Sequence, residues 1–539
     1  MTYQKFWIAF SLIISGTISN AQEDQNKDAG FFDQALVTPR IIAARHEFNE
    51  NNMRGAMLIY REVLQAEPNN PNALYGTAEC YYYMKKYKLS LEYLERALAV
   101  KSDVSHSSQI LLGQIYQRSA QLDKAIDAYK KFLASEKDNT YEYELASAGV
   151  AQCLYAKDMM LHPVPVKITN LGNAVNSRYD DYTPSISADG NLLLLTARRD
   201  NTTGKKMDEA GDYKYFEDIY FSVKDPVTGE WTESIQVPGA VNTETYDAVL
   251  SIMPNGKGMF VYKNTVNTTG DIYFSEFLAS DSSWTAAQKM PRPINTSYFE
   301  GSASITADGN TLYFISERPN GYGLGDIYVS TKTGENWSTP KNIGAMVNTE
   351  EDEKFVFIHP SGKTLYFASE GHQTMGSYDI FKSEWVNGEW SLPINLGYPI
   401  NTVNEESTFS LTSDNQTMYI AAEYDDTYGE RDLYTIDVSN YPLISKGHEM
   451  STFGQLMFTI THADNSPVKS PTITAYLASS GVQIAQIVGD KLGTAKLNLP
   501  GNQRYRLVIS ADKKQVEKEV DLTLAPTGET ILRIQEVLR

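Results

Sequence analysis

Cysteine is almost missing from this chain: its 539 residues include two, Cys80 and Cys153. Two thiols cannot build the disulfide framework of a small secreted fold. Both fall in helical patterns, where a free cysteine acts as a small apolar core residue. Histidine is scarce too, with seven scattered residues, no i, i+4 pair and no His/Cys cluster. No metal site and no cofactor is therefore expected. Positive charge is in deficit, 47 Lys and Arg against 67 Asp and Glu, for a net charge of -20. Bulk electrostatics thus exclude nucleic acid and anionic membrane as partners. No apolar run reaches the ~20 residues that a membrane-spanning helix needs. No serine or cysteine nucleophile stands with a recognisable base, so no enzyme is expected.

Tyrosine, by contrast, is abundant at 35 residues, which suits a β-rich protein. The length calls for roughly three or four domains. The first 21 residues have one charge, Lys5, then an apolar run from Phe6 to Ile14, with Ser19 and Ala21 before a cut at Gln22. This is the pattern of a secretory signal peptide. No cysteine lies at the cut to carry a lipid anchor. The expectation is an exported, soluble mature chain.

Two repeats organise the rest. Residues 37–140 are helical with a 34-residue period: Ala56 and Ser90, Tyr60 and Leu94, Val63 and Ala97. A third copy follows after one inserted residue, with Gly113, Tyr116, Leu122, Ala125, Tyr129 and Phe132. Pro68 closes the first unit and Pro71 opens the second. The stretch "ALYGTAECYYYMKKYKLSLEYLERAL" resembles the tetratricopeptide repeat. A final helix from about Tyr141 to Lys157 would cap the array, giving three repeats plus a cap over 37–160. That resemblance implies a concave face lined by Arg45, Phe48, Asn49, Tyr75, Glu79, Tyr82, Tyr83, Gln114, Gln117 and Arg118. Three adjacent tyrosines cannot all point inward on a helix. Tyr81 is expected to pack, leaving Tyr82 and Tyr83 as aromatic surface of the kind that anchors partners.

The stretch "SERPNGYGLGDIYVS" (Ser316–Ser330) looks at first like a phosphate loop. Such a loop must open a helix, whereas "DIYVSTK" alternates as a strand. It is a hairpin within a second repeat. Over 164–439, Asp with an aliphatic and an aromatic behind it recurs at 218, 271, 326, 379 and 432. Trp231, Trp284, Trp337 and Trp390 are each 53 apart, and an aliphatic–Asn pair recurs at Asn176, Asn242, Asn295, Asn348 and Asn401. Each unit reads as four strands, the last carrying the Trp. Five such units predict a five-bladed β-propeller. The fifth unit lacks its Trp strand, and "VPVKITNLGNAVN" ahead of the first matches "EWSLPINLGYPIN" of the fourth. The N-terminal strand should therefore complete the last blade. The units resemble the WD40-like repeats of the TolB type, also called PD40. The first unit carries an insertion within "NTTGKKMDEAGDYKYFE".

After a linker, residues 450–539 alternate as seven short strands, a small β-sandwich. "GDKLGTAKLNLPGNQRYRLVIS" resembles the carboxypeptidase regulatory-like domain, which implies a transthyretin-like fold. The fold class is thus multidomain α + β: helical solenoid, propeller and sandwich.

An acid follows each repeated Asn by five residues: Asp181, Asp247, Glu300, Glu353 and Glu406. Two readings stay open. Recurrence in every unit argues that these acids serve the repeat, bonded by neighbouring strands. Alternatively they line the channel, repel one another and attract a cation or a partner's Lys or Arg. The Asp of each Asp-Ile-Tyr reads as a turn residue, and each Trp as blade packing. The sialidase Asp-box is absent. In combination, the signal peptide and three domain types resemble the periplasmic OmpA-family component of the type IX secretion system. That resemblance implies a periplasmic adaptor with protein partners in the cell envelope, docking on or plugging the outer-membrane translocon. The family's peptidoglycan-binding OmpA-like domain is not expected here, since the chain stops at Arg539; this argues against peptidoglycan binding. The alternative expectation is an exported propeller that binds or processes glycans.

Overall fold

A computed structural model describes residues 36–538, apart from 137–139, 210–211, 265–268, 425, 446–452, 479–482, 501–502, 512 and 523–529. The signal segment 1–21 lies outside the described residues. The chain forms two compact units, Met1–Ser108 and Gln109–Arg539. The division falls inside the helical region.

The first unit holds two helix pairs, α1 (Val37–Asn49) with α2 (Met53–Ala66) and α3 (Pro71–Tyr83) with α4 (Tyr87–Val100). Local chemistry places their ends. The side chains of Asn52 and Asn70 accept from Gly55 N (2.9 Å) and Ala73 N (3.0 Å), and Pro71 takes the first helical position. Asn51 and Lys85, 34 residues apart, turn the chain between paired helices with φ of 62° and 57°. Ala56, Tyr60 and Val63 are buried, as are their repeat counterparts Ser90, Leu94 and Ala97. The Tyr60 ring fills the space over Gly76, where a Cβ would clash with it. Small-against-large packing of this kind is what a 34-residue helical repeat uses to stack.

The second unit begins with α5 (Ser108–Arg118), α6 (Leu122–Ser135) and α7 (Tyr141–Leu161). Among the described residues, seven helices of tetratricopeptide-like pattern therefore lie between Val37 and Leu161. Tyr129 stands between Gly113 and Gly149, so α6 approaches both neighbours closely. Cys80 and Cys153 are buried free thiols.

Five antiparallel sheets follow. The first runs Asp181–Ile186, Leu192–Ala197, Asp218–Val223 and Ile235–Gln236; the second starts at Tyr246, the third at Glu300 and the fourth at Glu353. In the fifth, Phe409–Leu411, Thr417–Ala422 and Asp432–Asp437 are joined by Lys167–Asn170, which pairs antiparallel with Asp437–Tyr434. The N-terminal strand thus closes the last sheet, as its sequence match requires. The hairpin of the third sheet pairs Ser316 with Asp326, so its glycines make the turn between two strands.

The last strand of a unit departs from the sequence reading. In the third and fourth sheets it is two short pieces, Asn336–Trp337 with Lys341–Asn342, and Glu389–Trp390 with Ile394–Asn395. Pro340 and Pro393 sit between the pieces and have no N–H for the ladder. The tryptophans reach the preceding sheet: Trp390 meets Tyr313 at 5.9 Å, and Trp231 meets Tyr419 of the fifth sheet at 6.2 Å. Hydroxyls stitch the innermost strands. Ser185 Oγ accepts from Ile252 N (2.8 Å), Ser302 from Val356 N (3.1 Å), and Ser410 from Ile186 N (3.2 Å). The fourth sheet has "KFVF" in place of these serines, and Phe355 meets Phe409 at 5.2 Å instead. The fifth sheet therefore returns to the first in a closed, propeller-like array.

Residues 453–538 form a three-stranded and a four-stranded sheet around Leu456, Phe458, Ile460, Ile473, Leu507 and Ile509. Leu392 of the fourth sheet packs on that core.

Candidate functional site

The helices of the first unit bring seven of the ten sequence-selected groove residues together. On α1, Arg45, Phe48 and Asn49 share a face by i, i+3, i+4 spacing; on α3, Tyr75, Glu79, Tyr82 and Tyr83 do so by i, i+4, i+7, i+8. Arg45 Nη2 donates to Glu79 Oε2 at 2.7 Å, and its guanidinium lies 5.0 Å from the Phe48 ring. Burial pushes the Glu79 carboxyl above its ordinary value, and the bond and charge of Arg45 oppose that. Phe48 meets Tyr83 edge-on at 5.4 Å, and Tyr83 meets Tyr82 at 5.5 Å. Tyr83 is 61% exposed and Tyr82 half-buried, while Tyr81 packs on Tyr93. Tyr75 is buried rather than presented. It stands beside Arg45, Asn49, Ile41 and Asn72 at an open hollow of about 530 Å³.

The three remaining residues lie on α5, and two require correction. Gln117 is buried, accepts from the Tyr129 hydroxyl (2.8 Å), and donates to Gln152 Oε1 (3.1 Å) and Met375 O (3.4 Å). Arg118 Nη1 donates to Val403 O at 2.6 Å and to Asn404 O at 3.4 Å. Gln152 Nε2 reaches Thr374 Oγ1 at 3.1 Å. Met375 and Val403 share a buried core with Ile110, Phe132 and Tyr155. Gln117 and Arg118 are thus occupied by loops of the fourth and fifth sheets and are not offered to a partner. Gln114 is half-buried.

The five repeated acids also require correction, because each is buried and supplied with protein donors. The acid accepts from the backbone N–H and hydroxyl of the residue four before it. These hydroxyl bonds are Ser177 to Asp181 (2.7 Å), Thr243 to Asp247 (2.7 Å), Thr296 to Glu300 (2.6 Å), Thr349 to Glu353 (2.7 Å) and Thr402 to Glu406 (2.7 Å). The backbone N–H of each acid donates to the preceding sheet, for example Glu353 N to Gly325 O at 2.8 Å and Asp181 N to Arg431 O at 3.0 Å. The repeated Asn completes the joint. Asn348 accepts from Ile327 N (2.9 Å) and donates to Ile327 O (3.0 Å); Asn176 does the same with Leu433 of the fifth sheet. Asn followed by Ser or Thr, with an acid four residues further on, is therefore a clasp between one sheet and the next. Its carboxylates are buried and bonded inside the clasp, so they are not free acids held out to a ligand.

The charges around that end of the sheets come from residues that do not recur. One residue before each acid, where strand alternation reverses the side chain, stand Asp180, Tyr246, Phe299, Asp352 and Glu405. Asp180 is paired with Arg431 at 2.7 Å and Lys214 at 3.3 Å. Burial works against its ionised form, but the two cations win and hold it at about 2. Glu405 bonds Lys354 at 2.8 Å, and Asp352 accepts from the Tyr378 hydroxyl. Burial and the charges of Asp352 and Glu300 push Glu317 up. These groups come from four different sheets and act on one another, so they converge where the sheets meet. Their one sequence signal was their offset of one from the repeated acids. Their varied identity hid it. Among the described residues, no three His, Cys, Asp or Glu side chains are grouped to hold a metal ion, and no helix is long and apolar enough to cross a membrane.

Residues 49–132 match the family described as Anaphase-promoting complex, cyclosome, subunit 3. Over 98 residues the chain is 29% identical to BBSome complex member BBS4 of Bos taurus, covering 18% of each chain. The Mus musculus protein is 30% identical over the same share. The chain thus spans under a fifth of the length of the curated relatives it matches. Among solved structures, a putative TolB from Agrobacterium tumefaciens is 15% identical, with 49% of this chain and 78% of that one covered at a TM-score of 0.31. TolB from Acinetobacter baumannii is 15% identical, with 56% and 71% covered at a TM-score of 0.29.

Proposed function

We propose that this protein is a non-enzymatic adaptor of the bacterial cell envelope, with a five-bladed propeller as its scaffold and the first helical unit as its capture surface. The observation that carries this is the aromatic set Phe48, Tyr82 and Tyr83, the first two half-buried and Tyr83 exposed, next to the Arg45–Glu79 pair. Large rings with few rotatable bonds and a polar tip lose little entropy on binding, and they dominate protein interfaces. The Arg45–Glu79 pair supplies direction for a peptide's polar groups beside them. The order of modules in the sequence supports the finer reading: export to the periplasm, and a role as an accessory or plug of the type IX secretion machinery at the outer membrane, held there through partners.

The test is capture from envelope extract with the mature chain as bait, wild type against a Tyr82→Ala/Tyr83→Ala double variant. The reading expects an outer-membrane translocon component in the wild-type eluate and at least a tenfold loss in the variant, with unchanged melting. Equal capture by both refutes the surface. Measurable hydrolysis of glycans or esters by the wild type refutes the adaptor.

A further inference from the structure

The five clasps are chemically alike, so their differences can be read directly. Three carry a cation. Arg199 lies 2.6 Å from Asp181, Lys263 pairs with Asp247, and Arg318 lies 3.4 Å from Glu300. Arg199 and Arg318 stand two residues past the residue that faces the Asp of Asp-Ile-Tyr across the hairpin, and Lys263 is itself that residue. In the fourth and fifth sheets these positions are Ser369 with Gly371, and Ala422 with Tyr424. Neither Glu353 nor Glu406 has a cation at ion-pair distance among the described residues.

Each of these two carboxyls also meets a second acid across the joint. Glu353 N donates to Gly325 O (2.8 Å), next to Asp326 of the third sheet, and Glu406 N to Tyr378 O (3.0 Å), next to Asp379 of the fourth; the charges of each pair act on one another. All four side chains are at most 2% exposed. Asp326 Oδ2 accepts from Tyr322 N at 2.7 Å, and Asp379 Oδ2 from Met375 N at 2.9 Å and Asn395 Nδ2 at 2.6 Å. Oδ1 of each has no donor. Asp218 Oδ1 lacks one too, but the acid it faces, Asp247, is neutralised by Lys263. Around Glu353 stand the Thr349 and Ser369 hydroxyls and Asp326; around Glu406 stand Thr402, Glu405, Asp379, the Tyr424 phenol and, from α5, Arg118. Two buried carboxylates side by side cannot both ionise without a counter-charge.

We propose that the joints between the third and fourth and between the fourth and fifth sheets are closed by protons where the other three are closed by cations, making the sheet array a pH-sensitive element that is tight in mild acid and loosens as the pH rises. Burial, first, and the facing acid push Glu353 up to about 7; burial does the same for Glu406, also to about 7. A carboxyl raised in the fold binds its proton more tightly there than in the unfolded chain. Its contribution is therefore full below the ordinary glutamate value and is lost as the pH climbs from there through about 7. The buried His359 and His372, held below their ordinary value by desolvation, give the opposite slope. Only a comparison with variants isolates the carboxyls.

The test is thermal melting of the full mature chain between pH 5 and 8.5, for wild type, Glu353→Gln, Glu406→Gln and the cation-paired control Glu300→Gln. Glutamine mimics the protonated acid. Glu353→Gln and Glu406→Gln are expected to melt at or above wild type at pH 8 and to flatten its fall between pH 5 and 8. Glu300→Gln is expected to melt lower at every pH and keep the wild-type slope. Glu353→Gln and Glu406→Gln variants that melt lower by the same amount at pH 5 and pH 8 overturn the proposal. If a variant does not fold, infrared difference spectra of the wild type decide. A buried protonated carboxyl band present at pH 6 and lost by pH 8 supports the proton, and its absence at pH 6 overturns it.

Discussion

Replacing Arg118 by alanine separates docking within the molecule from capture of a partner. The guanidinium makes one short bond to Val403 O, 2.6 Å, and one long one to Asn404 O, 3.4 Å. A hydrogen bond with a charged donor contributes about 1.5–3 kcal/mol net, and the long one contributes near zero. The positive charge also opposes the rise that burial gives the carboxyls of Asp379 and Glu406. Val403 is buried, so little of the loss is recovered by rehydrating its freed carbonyl. About 2 kcal/mol remains. For a body of this size that corresponds to a fall of roughly 2 °C in Tm. The loss should be local, so α5–α7 should be cut faster in limited proteolysis while the sheets resist. Capture of an envelope partner should be unchanged, because the aromatic set belongs to the first unit. Unchanged melting together with lost capture would refute this reasoning and return Arg118 to the binding face.

Two further outcomes follow from the packing. Arg199 donates to Asp181 twice, to Ser234 Oγ and to Val175 O, all in the interior. Arg199→Met leaves a buried carboxylate uncompensated and should cost about 3–5 kcal/mol, read as a lower urea midpoint; a loss under 1 kcal/mol would mean that the clasp tolerates a proton there too. In α7, Gly149→Ala gains roughly 0.5–1 kcal/mol of helix propensity, yet its Cβ would stand 2.6 Å from the Tyr129 ring, which Gly113 confines from the other side. Overpacking costs about 1–3 kcal/mol, so a net loss near 1 kcal/mol is expected in chemical denaturation, and a stabilised variant would contradict the close packing.

The sequence determined whatever repeats. A side chain that must fill the same hole in every unit recurs at the same spacing, so Tyr60, Leu94 and Tyr129, the Trp series and the repeated Asn with an acid five residues on stood out without coordinates. The strand that closes the fifth sheet was legible for the same reason, since a displaced copy keeps its pattern. Tertiary structure alone decided what each copy does with its neighbours. Gln117 and Arg118 follow the groove pattern but face loops of the fourth and fifth sheets, 258 and 285 residues away in the chain. No local spacing encodes such contacts. The recurring acids looked alike, yet Asp181, Asp247 and Glu300 are met by cations while Glu353 and Glu406 are met by acids. The cations come from positions beside the repeat, Arg199, Lys263 and Arg318, where the type is free to vary. Periodicity records the contacts a unit shares with every other unit; burial and charge at a joint depend on which two units meet.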